Sequence, residues 1–235
     1  MSRVFGCRVN RWKSEGFPPV HPLRYTTLTM VISYHGGQCF KVSFGDTTLA
    51  FNPISKQSKL PEVKFGSDAA FVSFWHPDFN GVDQVAHGSK QSFVADTPGE
   101  FEIGSVVARG FGVKTTYDKV EGYNTIFQVR LEDMNIVFLG ALSDPEIDPK
   151  ILGELGDIDI LFIPIGGGDL LQVPQAAKLA NKLEAKLVIP MSYDALTLAT
   201  FLKEESSEGL KSVDKLTIKR KDVAEMQGQV VVLAS

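Results

Sequence analysis

Short runs of apolar residues follow one another from residue 30 onward, and they predict a chain rich in β-strands. Val31–Tyr34 and Cys39–Phe44 flank a glycine turn and are typical of a β-hairpin. Asp68–Phe74 is an almost uninterrupted apolar run bounded by turn residues, as in a strand covered on both faces. Further strands are predicted at Thr47–Phe51, Ser92–Ala95, Glu100–Val107, Thr125–Leu131 and Ile136–Leu139.

The pattern changes after residue 145, where apolar runs alternate with segments of helical periodicity. Helices are predicted at Pro149–Leu155, Pro174–Leu183 and Ala195–Lys203, and strands at Ile158–Pro164, Lys186–Met191 and Val230–Ala234. Strands covered on both faces need layers on both sides. We therefore predict an α/β (α+β) fold, a four-layer αββα sandwich formed by one domain over residues 30–235.

Residues 1–29 differ from the rest of the chain. They carry five basic side chains and one acid, and prolines at 18, 19 and 22 interrupt any periodicity. A central apolar run of the kind found in secretory signals is missing. We expect a disordered leader or an artefact of the chosen start site, with a targeting segment as the alternative, and a cytoplasmic location.

Composition and charge exclude several classes of function. The 235 residues are 43% apolar, and no run reaches the roughly 18 consecutive apolar residues of a membrane span. Residues 30–235 hold 19 of the 24 basic and 27 of the 28 acidic side chains, so this part has a net charge of −8 that argues against nucleic-acid binding. The two cysteines, Cys7 and Cys39, do not provide a disulfide framework.

Three loops that follow predicted buried strands carry the candidate chemistry. The first contains His76 and Asp78, the second spans 140–144, and the third contains Ser192. A histidine, an aspartate and a hydroxyl that meet at one sheet edge can form a metal site or a hydrolytic site. Alternatively, His76 and Asp78 only cap the turn beside Pro77, because aspartate readily accepts hydrogen bonds from nearby backbone.

Seven short segments, in this order and spacing, resemble the metallo-β-lactamase superfamily, in particular its zinc-dependent hydrolases related to ascorbate-6-phosphate lactonases. They are Gly36–Phe40, Phe51–Pro53, Pro98–Ile103, Asn124–Phe127, the segment around Gly140, Ile163–Gly167 and Ile189–Tyr193.

The resemblance implies a zinc site built from a His-x-His-x-Asp-His motif and from a histidine, an aspartate and a histidine on later loops. Of these positions, this chain keeps His76 and Asp78 as metal-ligand candidates. The other five family positions correspond to Phe74, Phe79, Tyr117, Ala141 and Ser192, which we treat as pocket candidates. Phenylalanine and alanine have no side-chain donor atoms, whereas a catalytic zinc needs about three protein ligands.

Two hypotheses follow from this ligand count. In the first, the protein keeps the fold with a degenerate metal site, needs no cofactor, lacks the hydrolase activity of the family and acts by binding or assembly, with homo-oligomers among its possible partners. In the second, it is a hydrolase with one zinc or other divalent ion at His76 and Asp78. That altered site would be completed by His35, Asp144 or a partner chain.

Overall fold

The structure is a computed structural model that describes residues 29–86, 88 and 91–235. The prediction for residues 1–29 therefore lies, apart from Thr29, outside the described residues. The strands are β1 Met30–Tyr34, β2 Phe40–Phe44, β3 Thr47–Phe51, β4 Ala69–Phe71, β5 Phe93–Ala95, β6 Gly99–Ile103, β7 Val106–Tyr117, β8 Val120–Leu131, β9 Met134–Phe138, β10 Ile160–Pro164, β11 Leu187–Met191, β12 Leu216–Ile218 and β13 Gln229–Val230. The helices are α1 Pro149–Leu155, α2 Val173–Leu183, α3 Ala195–Glu204 and α4 Arg220–Ala224, with a 3₁₀ turn at Val82–Gln84.

These strands form two sheets. The first has the order β12-β1-β2-β3-β4-β5, and the second has the order β13-β11-β10-β9-β8-β7-β6. Strands β3, β4 and β5 run parallel to one another, as do β9, β10, β11 and β13. Parallel strands place their carboxyl ends at a common edge, which is where α/β proteins carry their binding loops.

The core lies between the two sheets, where every second residue of each strand points inward. Phe51 of the first sheet lies against Phe138 and Phe162 of the second, with ring centroids 5.1 and 5.9 Å apart. All three rings are fully buried, and burial of one such side chain contributes roughly 1.5–3 kcal/mol. Aromatic packing of this kind fixes the two sheets against each other.

The outer faces of the sheets are covered in different ways. Helices α1, α2 and α3 pack on the second sheet through an apolar cluster that includes Leu161, Ala176 and Phe201. The outer face of the first sheet is covered, in the described part of the chain, by the irregular segment 54–65 and by the 3₁₀ turn, which contact Cys39, Ala50 and Ala70. The predicted sandwich of two sheets with outer layers is confirmed.

Several predicted elements differ in extent from those observed. The apolar run 68–74 forms a strand of only three residues, because the chain turns away after Phe71. Strands β7 and β8 pair along twelve residues each, which makes this hairpin far longer than the predicted pieces. Strand β12 and helix α4 were not predicted from the charged stretch around them. Among the described residues, no helix is both long and apolar enough to cross a membrane.

A candidate pocket at the strand ends

Loops from both sheets converge at one edge of the sandwich. The first sheet contributes the loops after β3 and β4, and the second contributes those after β9, β10 and β11. The turn of the β7–β8 hairpin, at Asp118 and Lys119, also reaches this edge, where Asp118 donates its backbone N–H to Asp169 Oδ2 over 2.9 Å. Both turn residues have positive φ angles, as a tight two-residue hairpin turn requires.

A buried network of amide side chains fixes these loops. Asn52 accepts from the Ser73 backbone N–H at 2.8 Å and donates to Ser73 Oγ at 2.9 Å, which joins the loops after β3 and β4. Asn124 of β8 accepts from the Ala141 backbone N–H at 2.7 Å. Gly140 sits between them with φ +62°, and a Cβ atom there would collide with both Asn124 and Ser73. The loops therefore depend on glycine at this position.

Three of the pocket candidates form an apolar floor at this edge. Phe74, Phe79 and Ala141 are at most 5% exposed and pack with Leu170 in a separate apolar cluster, against which Tyr117 lies. The ring centroids of Phe79 and Tyr117 are 4.7 Å apart. Where the family resemblance implies metal ligands, this chain buries ring carbons and a methyl group.

His76 and Asp78 come together at the edge of this floor, but both already have protein partners. The Asp78 backbone N–H donates to His76 Nδ1 over 3.2 Å, so Nδ1 acts as the acceptor. The other ring nitrogen of His76, Nε2, is 3.6 Å from a carboxylate oxygen of Asp118. The Asp78 carboxylate accepts from the Ser58 hydroxyl and, over 3.0 Å, from the Tyr117 hydroxyl. His76 therefore caps this turn, as the alternative interpretation describes, whereas the Asp78 carboxylate is bound by hydroxyls 20 and 39 residues away along the chain.

The remaining two pocket candidates offer hydroxyl groups that are poor metal donors. Burial, and after it the negative charge of Asp78, raise the pKa of Tyr117 well above its usual range, which disfavours the phenolate. Ser192 has a φ of +54° and lies against Gly166, whose α-carbon leaves room for the Ser192 carbonyl. Its hydroxyl donates to the Gly37 carbonyl over 3.3 Å.

The structure does not bring His35 or Asp144 to this site. The His35 ring stacks on Phe65 with centroids 5.0 Å apart, and burial lowers its pKa. Asp144 lines a different cavity beside Lys114 on the flank of the hairpin. The expectation that either residue completes a metal site around His76 and Asp78 is therefore wrong for this arrangement of the chain.

A cavity of about 560 Å³ opens beside the apolar floor. Tyr117 and Leu170, which pack against the floor, line this cavity, whereas Phe74, Phe79 and Ala141 lie behind them. Tyr117 and Ser192 line it together with Asp118, Asp169 and Asp194, none of which the sequence analysis selected as a site residue. The sequence signals for them were weak, because each aspartate stands in a turn or at a helix start, where this residue is common for local reasons. The full lining comprises Tyr34, Gly37, Leu60, Asp78, Tyr117, Asp118, Gly166, Gly167, Asp169, Leu170, Ser192, Tyr193 and Asp194.

The donor set does not fit the zinc site that the family resemblance implies. Three of the seven positions carry no donor atom, and two carry protonated hydroxyls. In the ranges 29–86, 88 and 91–235, no group of three or more histidine, cysteine, aspartate or glutamate side chains has an arrangement suited to a metal ion. A catalytic zinc takes about three protein ligands, which this arrangement does not supply.

The two-sheet sandwich, the parallel strand ends and the retained motif positions define a class. The model of the beta-lactamase superfamily domain matches residues 31–192, and the chain belongs to the metallo-β-lactamase superfamily. The chain is similar to a UPF0173 metal-dependent hydrolase of Listeria monocytogenes, with 30% identity over 72% of this chain and 87% of the relative. A UPF0173 metal-dependent hydrolase of Anoxybacillus flavithermus is 25% identical over 70% of this chain and 86% of that relative.

Solved structures agree with this assignment. A protein of Thermotoga maritima, described as a Zn-dependent hydrolase of the metallo-β-lactamase superfamily, matches with a TM-score of 0.69 and 26% identity over 87% of this chain and 98% of that chain. Igni18, a metallo hydrolase of Ignicoccus hospitalis, matches with a TM-score of 0.58 over 81% of this chain and 99% of that chain. Its 16% identity supports the fold alone.

Proposed function

We propose that this protein has given up the metal-dependent hydrolysis for which its relatives are named and uses the cavity at the strand ends to bind a ligand. The apolar floor formed by Phe74, Phe79 and Ala141 is the observation that carries this proposal. Ring carbons and a methyl group can neither coordinate zinc nor activate a water molecule.

The partners of His76 and Asp78 support the same proposal. A metal at His76 Nδ1 would displace the Asp78 backbone N–H that donates to it. A metal at Asp78 would compete with two hydroxyl donors, those of Ser58 and Tyr117. His76 therefore caps its own turn, Asp78 joins that turn to two other segments, and both side chains are engaged by protein groups. A cytoplasmic location stays a prediction.

One observation favours the second candidate, a hydrolase with an altered mononuclear site. His76 Nε2 lies 3.6 Å from Asp118 Oδ2, so this nitrogen and this carboxylate could share an ion with Asp78 after a small rearrangement. The names of the relatives point the same way. This site would draw on the turn of the β7–β8 hairpin, outside the positions that the family resemblance implies.

Metal content separates the two candidates. Protein purified without added zinc should contain well below one equivalent of zinc, and a chelator should leave its melting temperature unchanged. A bound metal stabilises the folded state by about 2.7 kcal/mol at a free concentration of one hundred times its dissociation constant. Stoichiometric zinc that is lost on His76→Ala would refute the proposal, and zinc lost on Asp118→Asn would identify the altered site.

Restoring ligands provides the converse experiment. Ala141→Asp with Ser192→His raises the possible set around His76 and Asp78 to four donors, and this variant should gain a zinc-dependent rise in melting temperature. The same variant carrying His76→Ala is the matched control and should gain less. Because Ala141 is fully buried, Ser192→His alone, at a half-buried position, is the second variant if the first does not fold.

A further inference from the structure

We propose that the ligand of this cavity is a small organic cation with an ammonium or guanidinium group. The inference rests on the proposed function and names the ligand class of the same site. What carries it is the combination of four features: a cavity of ligand size, aromatic rings in its wall, carboxylates in its wall, and hydroxyl groups that all donate to other groups of the protein.

The charge of the lining has one sign. Four aspartates contribute to it, and no lysine or arginine of the described residues does. They come from four different loops: Asp78 after β4, Asp118 in the hairpin turn, Asp169 after β10 and Asp194 after β11. Carboxylates are negatively charged near neutral pH, and a concave site lined by one sign of charge concentrates ligands of the opposite sign.

The donors in the lining are already used. The Tyr34 hydroxyl donates to the Gly37 carbonyl at 2.8 Å, and the Tyr193 hydroxyl donates to the Leu233 carbonyl at 3.0 Å. The hydroxyls of Tyr117 and Ser192 donate to Asp78 and to the Gly37 carbonyl. The side chains of the wall therefore offer acceptors and ring surface, so a ligand has to bring its own hydrogen-bond donors.

The aromatic rings suit the same class of ligand. Tyr34 and Tyr193 line the cavity with ring centroids 6.0 Å apart, and Tyr117 of the β7–β8 hairpin lines it as well. A cation within about 6 Å of an aromatic centroid is attracted by the ring. The volume of about 560 Å³ lies in the range of roughly 300–1,000 Å³ that is usual for small-molecule sites.

Other ligand classes fit this wall less well. An anion such as phosphate would meet four carboxylates without a compensating cation from the lining. A bare divalent ion needs several oxygens converging at 2.0–2.6 Å from one point. The described residues contain no such grouping of histidine, cysteine, aspartate or glutamate side chains. An extended organic cation can instead pair with carboxylates that are spread around the wall.

The test is isothermal titration calorimetry of the full chain with spermidine and agmatine as cationic probes. Citrate and inorganic phosphate serve as anionic probes, and Mg²⁺ and Zn²⁺ as metal probes. We expect at least one organic cation to bind, with an affinity that falls as salt is raised from 0.02 to about 0.15 M. Binding of the anions or of the metals alone would overturn the inference, as would no binding at all.

A pair of isosteric substitutions locates the binding. Asp118→Asn with Asp169→Asn removes two charges, while the new amide at position 169 keeps an oxygen for the hydrogen bond from the hairpin turn, so the fold should persist. Binding of the cation should weaken at least about tenfold, equivalent to 1.4 kcal/mol. Asp46→Asn, at the exposed β2–β3 turn away from the cavity, is the matched control and should bind like the parent. Equal affinity of all three proteins would place any cation binding elsewhere and refute the inference.

The two proposals fail in different ways. Tightly held zinc in the purified protein would contradict the proposed function, whatever the calorimetry shows. Zinc-free protein that binds none of the organic cations would contradict only the inference about the ligand.

Discussion

Replacing Phe74 and Phe79 together with histidine tests whether the apolar floor excludes water. The two rings are 5% and 1% exposed, and their neighbours in the cluster are the side chains of Ala141 and Leu170 and the ring of Tyr117. None of these carries a free donor for an imidazole nitrogen, since the Tyr117 hydroxyl is used by Asp78. A buried polar group without a partner costs about 1–3 kcal/mol.

The expected magnitude follows from two such sites. Each substitution also loses apolar contact, so about 2–4 kcal/mol per ring is expected. The sum is smaller than twice that value because both rings lie against Tyr117, with centroids 4.7 and 6.4 Å away. A loss of about 4 kcal/mol with a urea slope of about 2 kcal/mol/M would lower the midpoint of unfolding by about 2 M.

Urea unfolding followed by circular dichroism in the presence of a chelator measures this shift. Phe93→His is the matched control, because Phe93 is 44% exposed on the edge strand β5 and should change the midpoint little. If the urea midpoint of the double variant stays within about 0.5 M of the parent value, the apolar floor is accessible to water, and the argument for a lost metal site fails. Added zinc should recover part of the loss, because the new imidazoles adjoin His76 and Asp78.

Three further predictions concern the scaffold around the cavity. Gly140→Ala should lower the free energy of unfolding by more than about 2 kcal/mol, because the backbone there has a positive φ and the new Cβ atom would collide with its neighbours. Gly153→Ala on α1, where a Cβ atom has open space, is the control and should raise the melting temperature slightly. In a Cys7→Ser variant, Cys39 should resist a thiol reagent at pH 8 until urea unfolds the protein, because burial raises the pKa of its thiol to about 12. Hydrogen bonds from Thr197 lower the pKa of Asp194 in the folded protein. The ionised Asp194 should therefore stabilise the folded protein above the ordinary aspartate pKa, and this stabilisation should be lost as the pH falls through the pKa of Asp194 in the folded state. Melting temperatures of Asp194→Asn, measured against pH, should lack this loss on the acid side.

The strand pattern and the motif order sufficed to predict the sandwich, because buried strands keep their apolar residues whatever the site has become. The same pattern failed at β12, whose three residues stand between Lys215 and Lys219 and are ordered by pairing with β1. The strands predicted from this pattern were also too short in the β7–β8 hairpin. Lys114, Thr116 and other outward residues interrupt the apolar pattern, while the backbone pairing continues.

The candidate site was predictable only where a motif marks it. His76 and Asp78 stand in a recognisable segment, and the loss of donors at Phe74 and Ala141 is visible in the sequence. The convergence of Asp118 on this edge depends on how far the hairpin projects, and no local pattern encodes that distance. An exposed aspartate in a turn has the same local sequence signal whether or not it lines a cavity.

The order of strands in the first sheet has a consequence for synthesis of the chain. Strand β1 pairs on one side with β2, and on the other with β12, where Met30 lies opposite Ile218. While the ribosome is still producing the middle of the protein, β1 is an open edge with unpaired backbone groups, which favours pairing with other chains. The first sheet therefore stays open at β1 until residues 216–218 have been synthesised, and nascent chains stalled before residue 216 should be the species that chaperones retain.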